Sequence, residues 1–265
     1  MNGIDSTAIN GLRGMTIAIT GSSTGIGRSI ALQMAAAGAK LIVHGRLMSK
    51  ELEEVHQEII AAGGTATAIE CDLSEPKLIK GFIDRCWAVH GTIDCWINNA
   101  GADILTGTPV NWSFTEKLEL LWQVDARGTL IVSRLVGKKM RETAGDAVGK
   151  YSIINMGWDQ AWQGMEGESG ELFGTVKGAV MAASKSLAHS LAPQVRVNCL
   201  APGWIKTEWG ETTSDAWQKR AKKQSLMNRW GTADDVAAAA VWLANPSSSF
   251  MSGQIISVNG GFRHW

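Results

Sequence analysis

The sequence predicts a single-domain α/β protein in which a parallel sheet is covered on both faces by helices. Two observations carry this. Short, β-branched apolar runs alternate with helical stretches along the chain, and the runs are apolar throughout, as strands buried on both faces require. No repeat, low-complexity tract or linker divides the 265 residues, so residues 1–265 are read as one domain.

The elements follow in order. Residues 15–20 (MTIAIT) form a first strand and run into GSSTGIG. Residues 28–37 then read as a helix, with Gly38 closing it where a left-handed residue is needed. Residues 40–44 are a second strand and 51–62 a second helix, closed by Gly63-Gly64. A third strand covers 65–70, and a third helix 75–89 carries Pro76 in its first turn. Residues 93–98 give strand four and 115–136 one long helix. Strand five is 152–156, followed by a Gly-, Glu- and Trp-rich loop and an Ala/Ser-rich helix over 172–191. Strand six is 195–200; the polar, Trp-studded segment 203–230 reads as irregular; a helix over 233–244 and a strand over 254–258 complete the chain.

Such a sheet holds its ligand outside the carboxyl ends of its strands. Gly21, Gly25 and Gly27 lie between the first strand and the first helix. Gly21 suits a tight turn, Gly25 lets the backbone approach a pyrophosphate, and Gly27 permits close helix–strand packing, while the helix N-terminus favours phosphate. The stretch also spells G-x-S-x-G around Ser23, a nucleophile elbow. Its place on the first strand, with only His264 near the C-terminus, speaks against a hydrolase. An NAD enzyme would carry an acid about 20 residues beyond the glycines for the ribose hydroxyl. Here the second strand ends His44-Gly45-Arg46, and Arg46 suits a 2′-phosphate, which favours NADP over NAD.

Composition removes several classes. Lys and Arg number 25 against 25 Asp and Glu, so no positive face for nucleic acid or a membrane surface is expected. The 19% of charged residues falls below the usual quarter or so, which suits a surface partly covered by other subunits. Cys71, Cys86, Cys95 and Cys199 form no CxxC pair and read as reduced thiols of a cytoplasmic protein. The five His are scattered, so no metal site is expected, and neither a signal peptide nor a membrane span is visible. There are 12 Trp but one Tyr.

Thr20-Gly21-Ser22-Ser23-Thr24-Gly25-Ile26-Gly27, Asn98-Asn99-Ala100-Gly101, Arg196-Val197-Asn198 and Ala201-Pro202-Gly203 together resemble the short-chain dehydrogenase/reductase family, in the right order from about residue 12 to 261. The resemblance implies a Rossmann-type, doubly wound fold, a nicotinamide dinucleotide and a homodimer or homotetramer acting on a small molecule. It implies cofactor contacts from the glycine loop (Gly21, Ser23, Gly25, Ile26, Gly27), Asp72 and Leu73 at the adenine, and Asn99, Ala100 and Gly101 on the ribose side. Pro202, Gly203, Ile205 and Thr207 would meet the nicotinamide, and 203–230 would be a substrate lid.

The family's chemistry uses a Tyr-x-x-x-Lys pair, a Ser after strand five and a helical Asn. Here Lys177 is kept, but Phe173 stands at the Tyr position, Trp158 at the Ser position and Asp125 at the Asn position. The one Tyr, Tyr151, begins strand five. Phenylalanine has no proton to give, and losing a general acid costs about 10²–10⁴ in rate. Asp159 follows Trp158, and a carboxyl desolvated against indole rings can become an acid, so Asp159 and Asp125 are the candidate donors. Trp158 and Trp162, with Trp204, Trp209, Trp217 and Trp230 in the lid, suggest a pocket for a planar or apolar carbonyl, alcohol, C=C or C=N compound. Two expectations follow: an NADP-dependent oxidoreductase with a nonstandard proton donor, or a catalytically silent NADP-binding pseudoenzyme serving as sensor or oligomer partner.

Overall fold

The computed structural model describes residues 11–263; His264 lies outside them. Seven parallel strands form one sheet in the order β3-β2-β1-β4-β5-β6-β7. They are β1 Thr16–Thr20, β2 Lys40–Gly45, β3 Thr65–Glu70, β4 Cys95–Asn98, β5 Tyr151–Met156, β6 Val195–Pro202 and β7 Ile255–Val258. The order reverses between β1 and β4, which register Ile17 on Cys95 and Thr20 on Asn98. There the loops after β1 and β4 part to opposite faces and leave a crevice.

Alternation along each strand builds two apolar layers. Ile17, Ile19, Leu41 and Val43 face one way, against α1 (Gly25–Ala36), α2 (Lys50–Ala61) and the later α9 (Ala233–Ala244). Ala18, Ile42, Trp96 and Ile153 face the other way, against α3 (Pro76–His90), α5 (Thr129–Ala144) and α6 (Glu168–Leu191). All four cysteines are buried and free, as the sequence predicts. Among the described residues no helix is long and apolar enough to cross a membrane.

The strands lie within two residues of expectation at every end; the helices differ more. α1 begins at Gly25, so Gly25 and Gly27 belong to its first turn. The long helix expected over 115–136 is three segments: α4 (Phe114–Leu121), a π-helical stretch Trp122–Gly128, and α5. α4 starts in a capping box between Ser113 and Glu116. No Pro or side-chain cap separates the three segments, so the sequence alone gives no sign of the wider turn. The segment 203–230 is not irregular throughout, since it holds α7 (Glu208–Thr212) and α8 (Asp215–Gln224). α8 (DAWQKRAKKQ) is mostly polar, with Ala216, Trp217 and Ala221 its only apolar residues.

Candidate active site

The crevice is assembled around three glycines. Gly21 turns left-handed with φ 64°, and a Cβ there would sit 2.6 Å from the Cα of Ala100. A Cβ on Gly27 would lie 2.0 Å from the Gly21 carbonyl oxygen and 2.4 Å from Nδ2 of Asn99. Asn99 donates from that nitrogen to the Gly21 oxygen at 2.8 Å, tying the end of β4 to the glycine turn. Gly25 turns with φ 54°, and a Cβ there would sit 3.7 Å from the methyl of Thr207, so the lid begins beside the loop. Backbone this open, at a helix N-terminus, fits a dinucleotide's pyrophosphate.

The sequence gives no sign of the bracing behind this loop. Ser22 and His44 are both buried. The Ser22 amide donates to the His44 carbonyl at 2.8 Å, and the His44 amide donates to Ser22 Oγ at 2.7 Å. His44 Nδ1 accepts the Gly21 amide at 3.1 Å, so Nε2 carries the proton and donates to the Cys71 carbonyl at 2.9 Å. Burial holds the imidazole neutral and lowers its pKa to about 4. With both nitrogens engaged, His44 is not available as a base for the serine of the G-x-S-x-G stretch. Arg46 is exposed just beyond β2. Asp72 accepts from the amide and hydroxyl of Ser74 at 2.9 and 2.6 Å, and Leu73 is buried behind it.

On the other side of the crevice, Lys177 Nζ lies 2.8 Å from Oδ1 of Asp125, both largely buried. The second Asp125 oxygen accepts the Ala102 amide at 2.8 Å. A Cβ on Gly101 would sit 2.9 Å from Asp125 Oδ1, so only glycine lets the carboxylate approach β4's exit. The π-helical turn that delivers Asp125 is the kind of local irregularity enriched at functional sites. Beneath it, Asn98 and Asn155, paired across β4 and β5, share hydrogen bonds with Ser133 and Ser184 in a fully buried polar layer.

At the exit of β5, Trp158 meets Phe173 edge-on with ring centroids 6.2 Å apart. The next residue, Asp159, opens a short 3₁₀ turn and is 1% exposed. Its Oδ2 accepts from Asn259 Nδ2 at 3.0 Å, and Oδ1 is buried with no hydrogen-bond partner. Burial pushes this carboxyl up to about 6, the Asn259 bond opposing the rise. A Cβ on Gly203 would lie 3.1 Å from Asp159 Oδ2, which sets the carboxyl against the β6 exit. Asn259, 100 residues away in sequence, leaves no local signal. Tyr151 is buried at the opposite, amino end of β5.

The lid tryptophans are arranged otherwise than as pocket walls. Trp204, Trp209, Trp217 and Trp230 pack on one another, with centroids 5.5–6.4 Å apart. Trp162 alone of the six singled out lines the large cavity beside the lid. Ile205 is buried and pairs with Gly231 in an isolated parallel bridge. No cluster of metal-ligating side chains occurs among the described residues.

Fold, crevice and motif order together define an oxidoreductase of the short-chain dehydrogenase/reductase family, to which this chain belongs. Residues 21–263 match the family described as enoyl-(acyl carrier protein) reductase. Among curated proteins, the chain is similar to 3-oxoacyl-[acyl-carrier-protein] reductase of Aquifex aeolicus, 32% identical over 94% of this chain and 98% of the relative. It also resembles 2-dehydro-3-deoxy-D-gluconate 5-dehydrogenase of Bacillus subtilis, 31% identical over 95% of each. The crystal structure of 3-oxoacyl (acyl-carrier-protein) reductase from Agrobacterium tumefaciens, with NADP bound, superposes with a TM-score of 0.85 at 29% identity over 99% of both chains.

Proposed function

We propose that this chain is an NADP-dependent oxidoreductase moving hydride to or from a small carbonyl, alcohol, C=C or C=N substrate, with Asp159 in place of the family's tyrosine as proton donor. The observation that carries it is the gathering of the glycine cradle, the Lys177–Asp125 pair and the buried Asp159 at the carboxyl ends of β1, β4, β5 and β6. The cofactor, when bound, supplies or accepts the hydride.

The remaining work falls to the chain. Gly21, Gly25 and Gly27 clear backbone for the pyrophosphate. Ser23 and Ile26 flank it, and Asn99, Ala100 and Gly101 line the ribose side. Arg46 meets the 2′-phosphate, while Asp72 and Leu73 border the adenine. Pro202, Gly203, Ile205 and Thr207 shape the nicotinamide end. Lys177, held by Asp125, presents its ammonium to the nicotinamide ribose. Both Asp125 oxygens are already engaged, by Lys177 and by the Ala102 amide. That fits Asp125 for positioning and leaves proton donation to Asp159, whose Oδ1 has no partner. Phe173 and Trp158 exclude water beside it without offering a proton.

Titrating NADPH and NADH by protein fluorescence, then following reduced-nicotinamide absorbance over ketones, aldehydes, imines and enones, tests this reading. Asp159→Asn should lower turnover by about 10²–10⁴ with cofactor affinity kept. Preference for NADH would overturn the reading of Arg46. Cofactor binding without turnover by the natural chain, joined to turnover by Phe173→Tyr, would make the protein a silent binder.

A further inference from the structure

Asn259, the residue after β7, bridges the β5 exit and the chain's final turn. Its Nδ2 donates to Asp159 Oδ2 at 3.0 Å, and its Oδ1 accepts the Gly261 amide at 3.0 Å. The orientation of the amide is thereby fixed. A backbone N–H demands an oxygen opposite it, which leaves only the nitrogen for Asp159. With Oδ2 engaged as an acceptor, a proton on Asp159 resides on Oδ1, the oxygen buried without a partner.

The asparagine is itself braced. Gly260 and Gly261 turn left-handed, with φ 66° and 77°, and lay the tail along the stretch that follows α8. There the Met227 amide donates to the Gly260 carbonyl and the Leu226 amide to the Gly261 carbonyl, both at 3.1 Å. The Arg263 amide donates to the Gln224 carbonyl at 2.9 Å. On the β6 side, a Cβ on Gly203 would lie 2.5 Å from the Cβ of Asn259, so the two strand exits are in close contact.

Asn259 also lines a cavity of about 310 Å³, together with Ser225, Arg229, Asp235 and Ser257, and Asp159 does not. The cavity is polar and roomy enough for water. Its two charged members are paired with each other, Arg229 donating to Asp235 at 2.7 and 2.9 Å. The groups that act on the Asp159 carboxyl are its buried surroundings, Asn259, and the amides of Gln160 and Asp159 itself, none of them titratable. A half-buried amide thus stands between a carboxyl kept dry and a cavity suited to water.

We infer that Asn259 is a positioning residue for Asp159, which fixes the acidic proton on Oδ1 and separates the carboxyl from the neighbouring polar cavity. The inference rests on Asp159 as proton donor for its bearing on turnover, but not for the contact itself.

Infrared titration of the full chain follows protonation of this one carboxyl without cofactor or substrate, the Asp159→Asn variant supplying the reference that lacks its band. The natural midpoint should lie at about 6. Asn259→Leu keeps the bulk and removes the donor, so the midpoint should rise by about one pH unit. Asn259→Ala opens the carboxyl to the cavity, and water there should lower the midpoint below that of the natural chain. A residue that merely anchored the tail would move both variants the same way. In carbonyl reduction, which consumes the proton, the alkaline limb of kcat should follow these shifts while KM holds. A midpoint unmoved in either folded variant, or shifts in one direction for both, would overturn the inference. Opposite infrared shifts with a turnover limb that follows neither would leave the contact standing and count against Asp159 as the donor.

Discussion

Lys177 Nζ reaches Oδ1 of Asp125 at 2.8 Å, an ammonium–carboxylate contact in which the acid is 1% and the lysine 14% exposed. Desolvating both charges is costly, so removing one member leaves the other stranded. Asp125→Asn should lower unfolding stability by about 3 kcal/mol, measured as a shift in denaturant midpoint. The double variant Asp125→Leu/Lys177→Met should lose less than the single one, because it strands no charge. An unchanged midpoint for Asp125→Asn would mean that the contact contributes little.

Asp159 should give stability an unusual pH dependence. Burial raises its pKa from 3.8 to about 6, so the folded chain keeps a proton that the unfolded chain releases in that interval. Stability from this group is complete below about 3.8 and is lost as pH climbs through about 6. The loss amounts to about 3 kcal/mol. Asp159→Asn should abolish this limb, so that variant and natural chain converge in acid and diverge above pH 6. Parallel curves would show that the carboxyl titrates normally.

His44 works in the opposite sense. Its pKa falls from 6.5 to about 4 through burial, so stability is complete above 6.5 and is lost as pH drops through about 4. Between those values the two groups oppose each other, and the natural chain should look nearly flat. Asp159→Asn should therefore expose a steep acid limb, and adding His44→Leu should flatten it again. NADPH affinity should hold along that limb and decline only below about pH 4, where Nδ1 is protonated in the folded chain and cannot accept the Gly21 amide.

The glycines divide into those that must stay and those that need not. Gly27→Ala would place a methyl 2.0 Å from a backbone oxygen. It should cost about 1–3 kcal/mol in stability and abolish detectable NADPH binding. At Gly81, mid-α3, a Cβ would meet nothing within 4 Å. Gly81→Ala should stabilise by about 0.4–1 kcal/mol and leave the cofactor untouched. Thermal unfolding with and without NADPH separates the two.

Much of the fold was legible because strands buried on both faces leave unbroken apolar runs such as TIAIT and CWIN. The glycine loop was legible because its chemistry is local. The π turn was not, since Asp125 keeps helical company on both sides and no residue type marks the wider turn. α6 begins at Glu168, earlier than the apolar pattern suggests, with Glu168 and Glu171 in a first turn that favours acids. The Asp159–Asn259 and Ser22–His44 pairings join segments brought together only by the sheet order. Neither partner carries a mark of the other in sequence.

The four lid indoles, each within 6.4 Å of at least two others, have an optical consequence. Transition dipoles that close couple to each other, so the cluster gives the near-ultraviolet circular dichroism a contribution from α7, α8 and their flanking turns, beside that of the stacked Trp87–Trp96 pair. Any rearrangement of that segment on ligand entry is written into the protein's own spectrum. The lid carries its reporter without a dye, in the same residues that hold it together.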